Sequence, residues 1–381
     1  MSTIRTRLLS LAIITLCGAS ANAQGDFIYK YENSTVHAGI EVGSKGVKLS
    51  VVEIGKDAKT TGAFNILKDT SVNTDFISFS QPSFDATLNG FNALYKIALE
   101  RYNISSPKIF TVVSSGVKMQ AEKENKSQWI KNLVDSFRMR INEPTRNVEV
   151  VDVLQEARLS HLGIIPQSKR YSTFLIDIGS GNTKGGYFPF DDDPDNFKLF
   201  QLNWGTKSTA NAAEKKLDEY DKTLANYNRQ LYRVLLAAEN SELIYAVNSS
   251  GAYNLNDYIA FSGGIAWATA TLLRPDQISE NVITVTYEDV QKLNELLFTD
   301  FASLSDSALT ANLKNKSLNK AAVAKEIKRV HSVFDQRALL AGTGLLLKIM
   351  RQFKSVYESK GFFFLKSGQV GWVTAYVDEK N

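Results

Sequence analysis

Cysteine is almost missing from this chain of 381 residues, in which Cys17 is the only one. A single cysteine cannot form an internal disulfide or a zinc site built from several thiolates. Histidine is nearly as scarce, and His37, His161 and His331 show no ligand spacing. The sequence therefore gives no support to a histidine or cysteine metal centre, and the three imidazoles are expected in the core or at the surface.

The sequence also lacks a run of about 20 apolar residues, the length that a helix needs to cross a bilayer. The shorter apolar run of residues 8–17 follows Arg5 and Arg7, and small residues come soon after it. This order is typical of a secretory signal peptide. We expect a signal peptide over residues 1–23, cleavage after Ala23, and a periplasmic or secreted product without a thiol. A cytosolic chain with a buried first helix is the alternative.

The chain also has no large excess of positive or negative charge. Removal of Arg5 and Arg7 with the signal peptide would leave 42 basic and 40 acidic residues, a net charge of +2. This balance argues neither for nor against nucleic-acid or membrane surfaces as partners, so any anion site must be local. The hydrophobic content of 44% is ordinary for a globular protein, and the length allows two domains.

The order of predicted elements is similar in the two halves of the chain. Each half begins with a β-hairpin and continues with helices and further strands, which indicates two α/β domains, residues 36–165 and 171–381. In the first half we expect strands at residues 36–54 (two, joined at 43–46), 63–67, 108–113 and 147–153, and helices at 83–102, 121–141 and 156–162. In the second half we expect strands around residues 174–186 and at 197–202, 257–261 and 362–364, and helices at 208–240, 321–333 and 337–353.

The stretch FLIDIGSGNTKGG, residues 174–186, carries the strongest chemical signal. An apolar strand delivers Asp177 into a glycine turn, which places a carboxylate beside exposed backbone N–H groups. A carboxylate can hold Mg²⁺ while amides hold phosphate oxygens. An ordinary hairpin turn that needs glycine for positive φ is the alternative. A similar strand-turn-strand at residues 38–52 suggests an internally duplicated phosphate clamp.

These motifs resemble, in order and spacing, those of the exopolyphosphatase/guanosine pentaphosphate phosphohydrolase family, within the actin/Hsp70/sugar-kinase superfamily. The family's second motif, Asp-Ile-Gly-Gly-Gly-Ser-Thr-Glu, is similar to DIGSGNTK at residues 177–184. Its first motif, a strand with an Asp and then Gly-Ser-Asn-Ser, is similar to IEVGSKG at residues 40–46. The most specific match is between Glu-Glu-Ala-Arg-Leu and QEARL at residues 155–159, each followed by a Gly. Further similar segments are SSGVK at 114–118, WGTK at 204–207, Ser-Gly-Gly at 262–264 and the closing helix at 339–347, so that the resemblance runs from about residue 38 to the end.

The resemblance implies two ribonuclease-H-like (actin-like ATPase) domains with a ligand cleft between them, and hydrolysis of a phosphoanhydride. By the same resemblance Glu156 would position the attacking water, and Glu41 and Asp177 would hold Mg²⁺. The implied phosphate-binding residues are Gly43, Ser44, Lys45, Lys118, Gly179, Ser180, Gly181, Asn182, Thr183, Lys207, Gly263 and Gly264. The expected partner is polyphosphate or a nucleoside polyphosphate, a homodimer is allowed, and neither nucleic acid nor a membrane span is expected in the mature chain.

Several positions depart from the family's pattern. Glu41 stands where the family has Asp, Lys184 where it has Glu, and lysines where it has arginines, which bind phosphate in a bidentate manner. Lysines at hairpins, such as Lys45, Lys48 and Lys184, are by default solvated. These departures keep open an envelope module that binds phosphate or nucleotide without turnover. An apyrase-like secreted nucleotidase is the other alternative to the exported hydrolase, because that family shares the fold and the two glycine-rich motifs.

Overall fold

Two glycine turns, residues 43–46 and 179–182, each close an antiparallel hairpin at the centre of a β-sheet. The computed structural model describes residues 27–44, 46–56, 58, 64–191, 193, 195–313, 318–354, 360–366 and 368–380. The expected signal peptide, residues 1–23, and the expected phosphate ligand Lys45 lie outside the described residues. The predicted boundaries of the two domains stay predictions.

The first sheet has five strands in the order β3-β2-β1-β4-β5. The strands are β1 Thr35–Gly43, β2 Gly46–Ile54, β3 Phe64–Asn73, β4 Ile109–Val113 and β5 Glu149–Val150. The first three pair antiparallel, whereas β4 runs parallel to both β1 and β5. The predicted hairpin at residues 36–54 is therefore confirmed.

The second sheet repeats this plan with six strands in the order β10-β11-β9-β6-β7-β8. The strands are β6 Thr173–Ile178, β7 Thr183–Tyr187, β8 Lys198–Leu202, β9 Tyr258–Ser262, β10 Val282–Val285 and β11 Gly361–Leu365. Three consecutive antiparallel strands again precede parallel partners, because β9 runs parallel to both β6 and β11. The predicted duplication of an α/β unit is confirmed.

Fourteen α-helices lie among the described residues and surround the two sheets. They are α1 Gln81–Lys96, α2 Ser115–Lys123, α3 Ser127–Arg140, α4 Val153–Ile164, α5 Thr206–Glu214, α6 Leu224–Ala238, α7 Ile244–Ser250, α8 Ala252–Leu255, α9 Gly264–Leu273, α10 Tyr287–Thr299, α11 Asp306–Ala311, α12 Lys320–Val333, α13 Gln336–Phe353 and α14 Gly371–Lys380. None of them is both long and apolar enough to cross a bilayer.

Helices α4 and α14 lie between the two sheets and determine how the halves meet. On its outer face the first sheet packs against α1, α2 and α3, and on its inner face against α4 and α14. The inner face of the second sheet contributes Leu175, Ala260 and Leu365, which pack against Ile164 and Ile165 at the end of α4. Its outer face is covered by α5, α6, α9, α10, α12 and α13. The sequence thus builds five layers, with α4 in the middle one.

Three predicted elements differ from the structure. The helix expected at residues 121–141 is two helices, because Asn125 takes a left-handed conformation (φ 56°) that ends α2. The strand expected at 147–153 pairs only over Glu149–Val150, since α4 begins at Val153. The helical region 208–240 is interrupted between α5 and α6. The two glycine turns lie where the sequence predicts them.

Candidate active site

Glu156 lies in the first turns of α4, between the two sheets. Helix α4 begins at Val153, because the carboxylate of the preceding residue, Asp152, accepts a hydrogen bond from the Gln155 N–H at 2.8 Å. One carboxylate oxygen of Glu156, Oε2, accepts a hydrogen bond from the backbone N–H of Ser115 at 2.9 Å. Its other oxygen, Oε1, forms an ion pair with Lys184. Glu156 therefore connects α2 of the first half with β7 of the second.

Asp177 and Lys184 face each other across the second hairpin. The register of β6 and β7 places them directly opposite, so their side chains lie on the same face of the sheet. The Ser262 hydroxyl at the end of β9 donates a hydrogen bond to the Asp177 carboxylate at 2.7 Å. Lys184 is only 17% exposed. The expectation that it is a solvated hairpin lysine is wrong, because its ammonium is directed at the carboxylates.

The first hairpin repeats this arrangement with Glu41 and Lys48. These residues are directly opposite each other on β1 and β2, and both side chains are partly buried. The Lys48 ammonium also lies 3.5 Å from a carboxylate oxygen of Asp69 on β3. Each of the two hairpins therefore presents one carboxylate and one lysine.

The charges of the carboxylate cluster, which consists of Glu41, Glu156, Asp177 and Lys184, shift one another's pKa. Burial, followed by the charge of Glu156, raises the pKa of Glu41. Burial also raises the pKa of Asp177, although the Lys184 ammonium and the Ser262 hydroxyl partly offset it. Burial acts in the same direction on Glu156, but Lys184 and Ser115 outweigh it and hold the pKa of that carboxyl below its usual range. Of these three carboxyl groups, Glu156 is therefore the one whose surroundings favour the ionised form.

The second glycine turn is held against the start of α5. The carbonyl oxygens of Gly179 and Ser180 accept hydrogen bonds from the backbone N–H groups of residues 206–208, at 2.8 to 3.1 Å. The Thr183 hydroxyl donates to the carbonyl of Trp204 at 2.7 Å, and Asn182 accepts from the Gly179 N–H at 3.0 Å. Ser180 and Gly181 are exposed at the tip of the turn. A ligand could therefore approach the backbone at that tip.

The turn between β9 and α9 lies beside the same strand end. Gly263 has φ 90°, and a Cβ at this position would lie 2.4 Å from the carbonyl oxygen of Ile178. Only glycine fits there, because of both the left-handed backbone and the close approach. Gly264 follows as the first residue of α9. The structure thus brings the predicted residues 179–183 and 263–264 together.

The first glycine turn lies beside the start of α2. Ser44 Oγ would be 3.4 Å from a Cβ at Gly116, and Gly116 is the neighbour of the Ser115 that holds Glu156. Gly43 closes the turn opposite Gly46. Gly43 and Ser44 are both partly buried. The approach of Ser44 to Gly116 brings the described part of the first turn close to the residue that holds Glu156.

Two predicted phosphate ligands, Lys118 and Lys207, make none of the contacts described above for the carboxylates. Lys118 lines a surface cavity together with Glu122 and Lys131 of α2 and α3. The side chain of Lys207, at the start of α5, is exposed. None of the contacts described for the chain brings either ammonium to Glu41, Glu156 or Asp177.

The surroundings of Glu41 and Asp177 do not fit the expected Mg²⁺. Carboxylate oxygens are suitable ligands for this ion, but the Lys184 ammonium already acts on both carboxylates and on Glu156. A divalent cation between Glu41 and Asp177 would be repelled by that ammonium. Within the described ranges no three acidic, histidine or cysteine side chains are arranged to hold a metal. Mg²⁺ stays a prediction.

Trp372 and Tyr376 of α14 complete the walls of the site, and the motif comparison did not identify them. With Glu41, Ser114, Glu156 and Leu159 they line a cavity of about 10 Å³, about the size of one water molecule. Ser115, Lys184 and Ser262 were also missed. The hairpin register could have indicated Lys184, because a four-residue turn at 179–182 places it opposite Asp177.

A larger apolar cavity, of about 310 Å³, lies at the other end of the same sheet face. Its lining includes Thr173, four residues before Asp177 on β6, together with Ile164, Phe363 and Leu365. An extended strand rises about 3.3 Å per residue, so the two places are about 13 Å apart. A mostly apolar lining does not suit a chain of phosphates, and we place the chemistry at the carboxylate cluster.

Solved structures share this fold. The Ppx/GppA family member of Aquifex aeolicus superposes with a TM-score of 0.60 at 16% identity, over 91% of this chain and 99% of its own. An exopolyphosphatase from Cytophaga hutchinsonii gives 0.55 at 12% identity, over 90% and 98%. An exopolyphosphatase-like protein gives 0.57 at 14% identity, over 91% and 98%. No family model and no curated protein matches the chain by sequence. The predicted resemblance and fold class are thereby confirmed at the level of the fold.

Proposed function

We propose that this chain is an exported phosphoanhydride hydrolase that releases terminal phosphate from inorganic polyphosphate or a nucleoside polyphosphate. The observation that supports this most is the position of Glu156. Its carboxylate lies between two glycine turns of the kind that can bind phosphate, and both of its oxygens are held in place. The fold shared with exopolyphosphatase structures agrees with this proposal.

In the proposed reaction Glu156 orients a water molecule toward the terminal phosphorus. The water oxygen forms a new P–O bond, the bond from phosphorus to the bridging oxygen breaks, and the shortened chain leaves with the electron pair of that bond. The proton lost by the water passes to Glu156 and then to the products. Phosphoryl transfer has a loose transition state that needs positioning more than a strong base. A carboxylate with a lowered pKa suits that role.

The glycine turns would supply the phosphate contacts. Backbone N–H groups at residues 180–182 and 263–264 would face the terminal phosphate, with residues 43–45 approaching from the first half. Gly179 and Thr183 would shape the second turn, because the Gly179 N–H is bonded to the Asn182 carbonyl. Lys118 and Lys207 would meet phosphates further along a longer substrate, since neither lies in the carboxylate cluster. This division would favour a polymer over a short nucleotide.

Export is part of the proposal because residues 1–23 have the pattern of a signal peptide. Polyphosphate or extracellular nucleotides would then be the substrates in the periplasm or outside the cell. Cytosolic guanosine polyphosphates would not be reached from there.

A site that binds phosphate without turnover is the second candidate, and one observation favours it. The Lys184 ammonium is paired with Glu156 Oε1, so that oxygen is available to a water molecule only if the ion pair is shared or opened.

The test is to incubate the mature chain, residues 24–381, with long-chain polyphosphate, ATP or GTP, each with Mg²⁺ or with EDTA. Phosphate release is measured, together with retention of polyphosphate on a filter. Release from any of the substrates supports the hydrolase. Measurable polyphosphate retention with no release from any substrate would instead favour the binding module.

A further inference from the structure

Lys184 is the cation nearest to Glu156 among the described residues. It lies opposite Asp177 on the hairpin, forms an ion pair with Glu156, and its charge also acts on Glu41. Both members of the ion pair are largely buried, with side chains 17% and 15% exposed. Lys184 therefore occupies a central position among three carboxylates that come from both halves of the molecule.

Three carboxylates at such a site would repel one another without a counter-ion. Lys48 supplies a second positive charge that acts on Glu41 and Asp177, but its ammonium is shared with the Asp69 carboxylate, 3.5 Å away, so that Lys184 is the cation paired with Glu156. The ion pair with the Glu156 carboxylate favours the charged form of Lys184. Lys184 is therefore a cation at this largely buried position.

We propose that the Lys184 ammonium is the permanent cation of this cluster and takes the place of a divalent metal there, so that phosphate is bound without Mg²⁺. An ammonium has three N–H donors, and the contacts of the described residues direct one of them at Glu156. In the proposed complex the others would donate to phosphate oxygens, for which lysine is a common ligand. The part of the inference that concerns phosphate rests on the proposed function, whereas the part that concerns the metal does not.

The claim that Lys184 keeps a divalent metal out of the site is tested by titrating the mature chain with Mn²⁺ and measuring free Mn²⁺ by electron paramagnetic resonance. Lys184→Met removes the ammonium but keeps a chain of similar length, Lys184→Arg keeps the charge, and Lys198→Met removes an exposed lysine from the neighbouring strand β8. Lys184→Met should bind Mn²⁺ about tenfold or more tightly than the wild type, because a repelling charge is gone. The other two variants should match the wild type. Tight, stoichiometric Mn²⁺ binding by the wild type, with no gain in Lys184→Met, would overturn the inference.

A second measurement uses the wild type alone, in case Lys184→Met does not fold. Retention of long-chain polyphosphate should be unchanged, within about twofold, between EDTA and Mg²⁺ buffers, because the bound cation belongs to the protein. Retention that is lost in EDTA and restored by Mg²⁺ would contradict the inference. If no substrate releases phosphate, the proposed function fails, yet the Mn²⁺ titration still decides whether Lys184 excludes a metal.

Discussion

At the residue scale, Glu156 and Lys184 show how much the surroundings decide the role of a charged side chain. Glu156 could have been an ordinary solvated residue at a helix start. The Ser115 N–H and the Lys184 ammonium instead fix both of its oxygens. Lys184 could have been an exposed hairpin lysine, but it is largely buried among the carboxylates of the site.

Acid should destabilise the protein through His161, which is fully buried in α4. Burial, with a smaller effect of the Arg170 charge, lowers the pKa of His161 to about 4, although its hydrogen bond to Thr173 opposes this. Between pH 6.5 and 4 the unfolded chain therefore binds a proton that the folded chain does not. Above pH 6.5 His161 is neutral in both states and does not change the free energy of unfolding. As the pH drops to 4, proton uptake by the unfolded chain lowers that free energy by about 3 kcal/mol.

Urea unfolding from pH 7 to 4.5 measures this effect. His161→Gln should flatten the fall of the unfolding free energy with decreasing pH. His37→Gln should do so by a similar amount, because burial lowers the pKa of His37 to about 4 as well. An identical pH profile in His161→Gln and the wild type would refute this assignment.

At the element scale, the contact between α4 and α14 holds the Glu156 site together. Gly163 of α4 comes so close to α14 that an added Cβ would lie 1.7 Å from the carbonyl oxygen of Gly371 and 3.0 Å from the backbone nitrogen of Ala375. Both neighbours are backbone atoms and cannot rotate away. Trp372 and Tyr376, which line the cavity beside Glu156, belong to the same helix.

Gly163→Ala should therefore push α14 away from α4 and destabilise the protein by about 1 to 3 kcal/mol, as overpacking typically does. Gly181→Ala is the matched control, because nothing lies within 4 Å of an added Cβ there. Urea unfolding of the two variants and the wild type provides the comparison. Equal stability of Gly163→Ala and Gly181→Ala would show that α14 does not pack as described.

The sequence predicted the elements that strong local patterns define. Alternating apolar residues and glycine turns located both hairpins, and helical spacing located α1, α12 and α13. It did not predict α14, because the position of that helix depends on contacts with α4 and the first sheet that no local pattern records. It also joined α2 to α3, since the left-handed conformation of Asn125 is one that asparagine adopts only sometimes.

At the scale of the whole molecule, contacts of the edge strand β3 with the second half help to join the two halves. The Arg329 guanidinium of α12 lies 3.0 Å from the Asp69 carboxylate of β3, and Asn281 donates a hydrogen bond to the carbonyl of Phe64 at 3.1 Å. The candidate site could be predicted only as two separate motifs. The two motifs come together at Glu156 because α4 packs between the sheets. This packing depends on contacts between residues far apart in sequence, which no local pattern predicts.

The expected export is also a property of the whole chain. The protein recovered from the periplasm or medium of cells that produce it should have an intact mass that begins at Gln24. Ala23→Arg should leave the precursor uncleaved, because the peptidase requires small residues at the cleavage site. A full-length chain that starts at Met1 and stays in the cytoplasm would exclude the signal peptide.

Phosphate release by Glu156→Gln tests the central claim most directly. The mature wild type, Glu156→Gln and the surface control Glu295→Gln, whose exposed side chain lies on α10, are incubated with long-chain polyphosphate, and their melting temperatures and polyphosphate retention are compared. We expect release by Glu156→Gln to fall about 100-fold or more, the usual loss when a group that positions a proton acceptor is removed, while retention and folding match the control. Release at the wild-type rate by a folded Glu156→Gln protein would contradict the account.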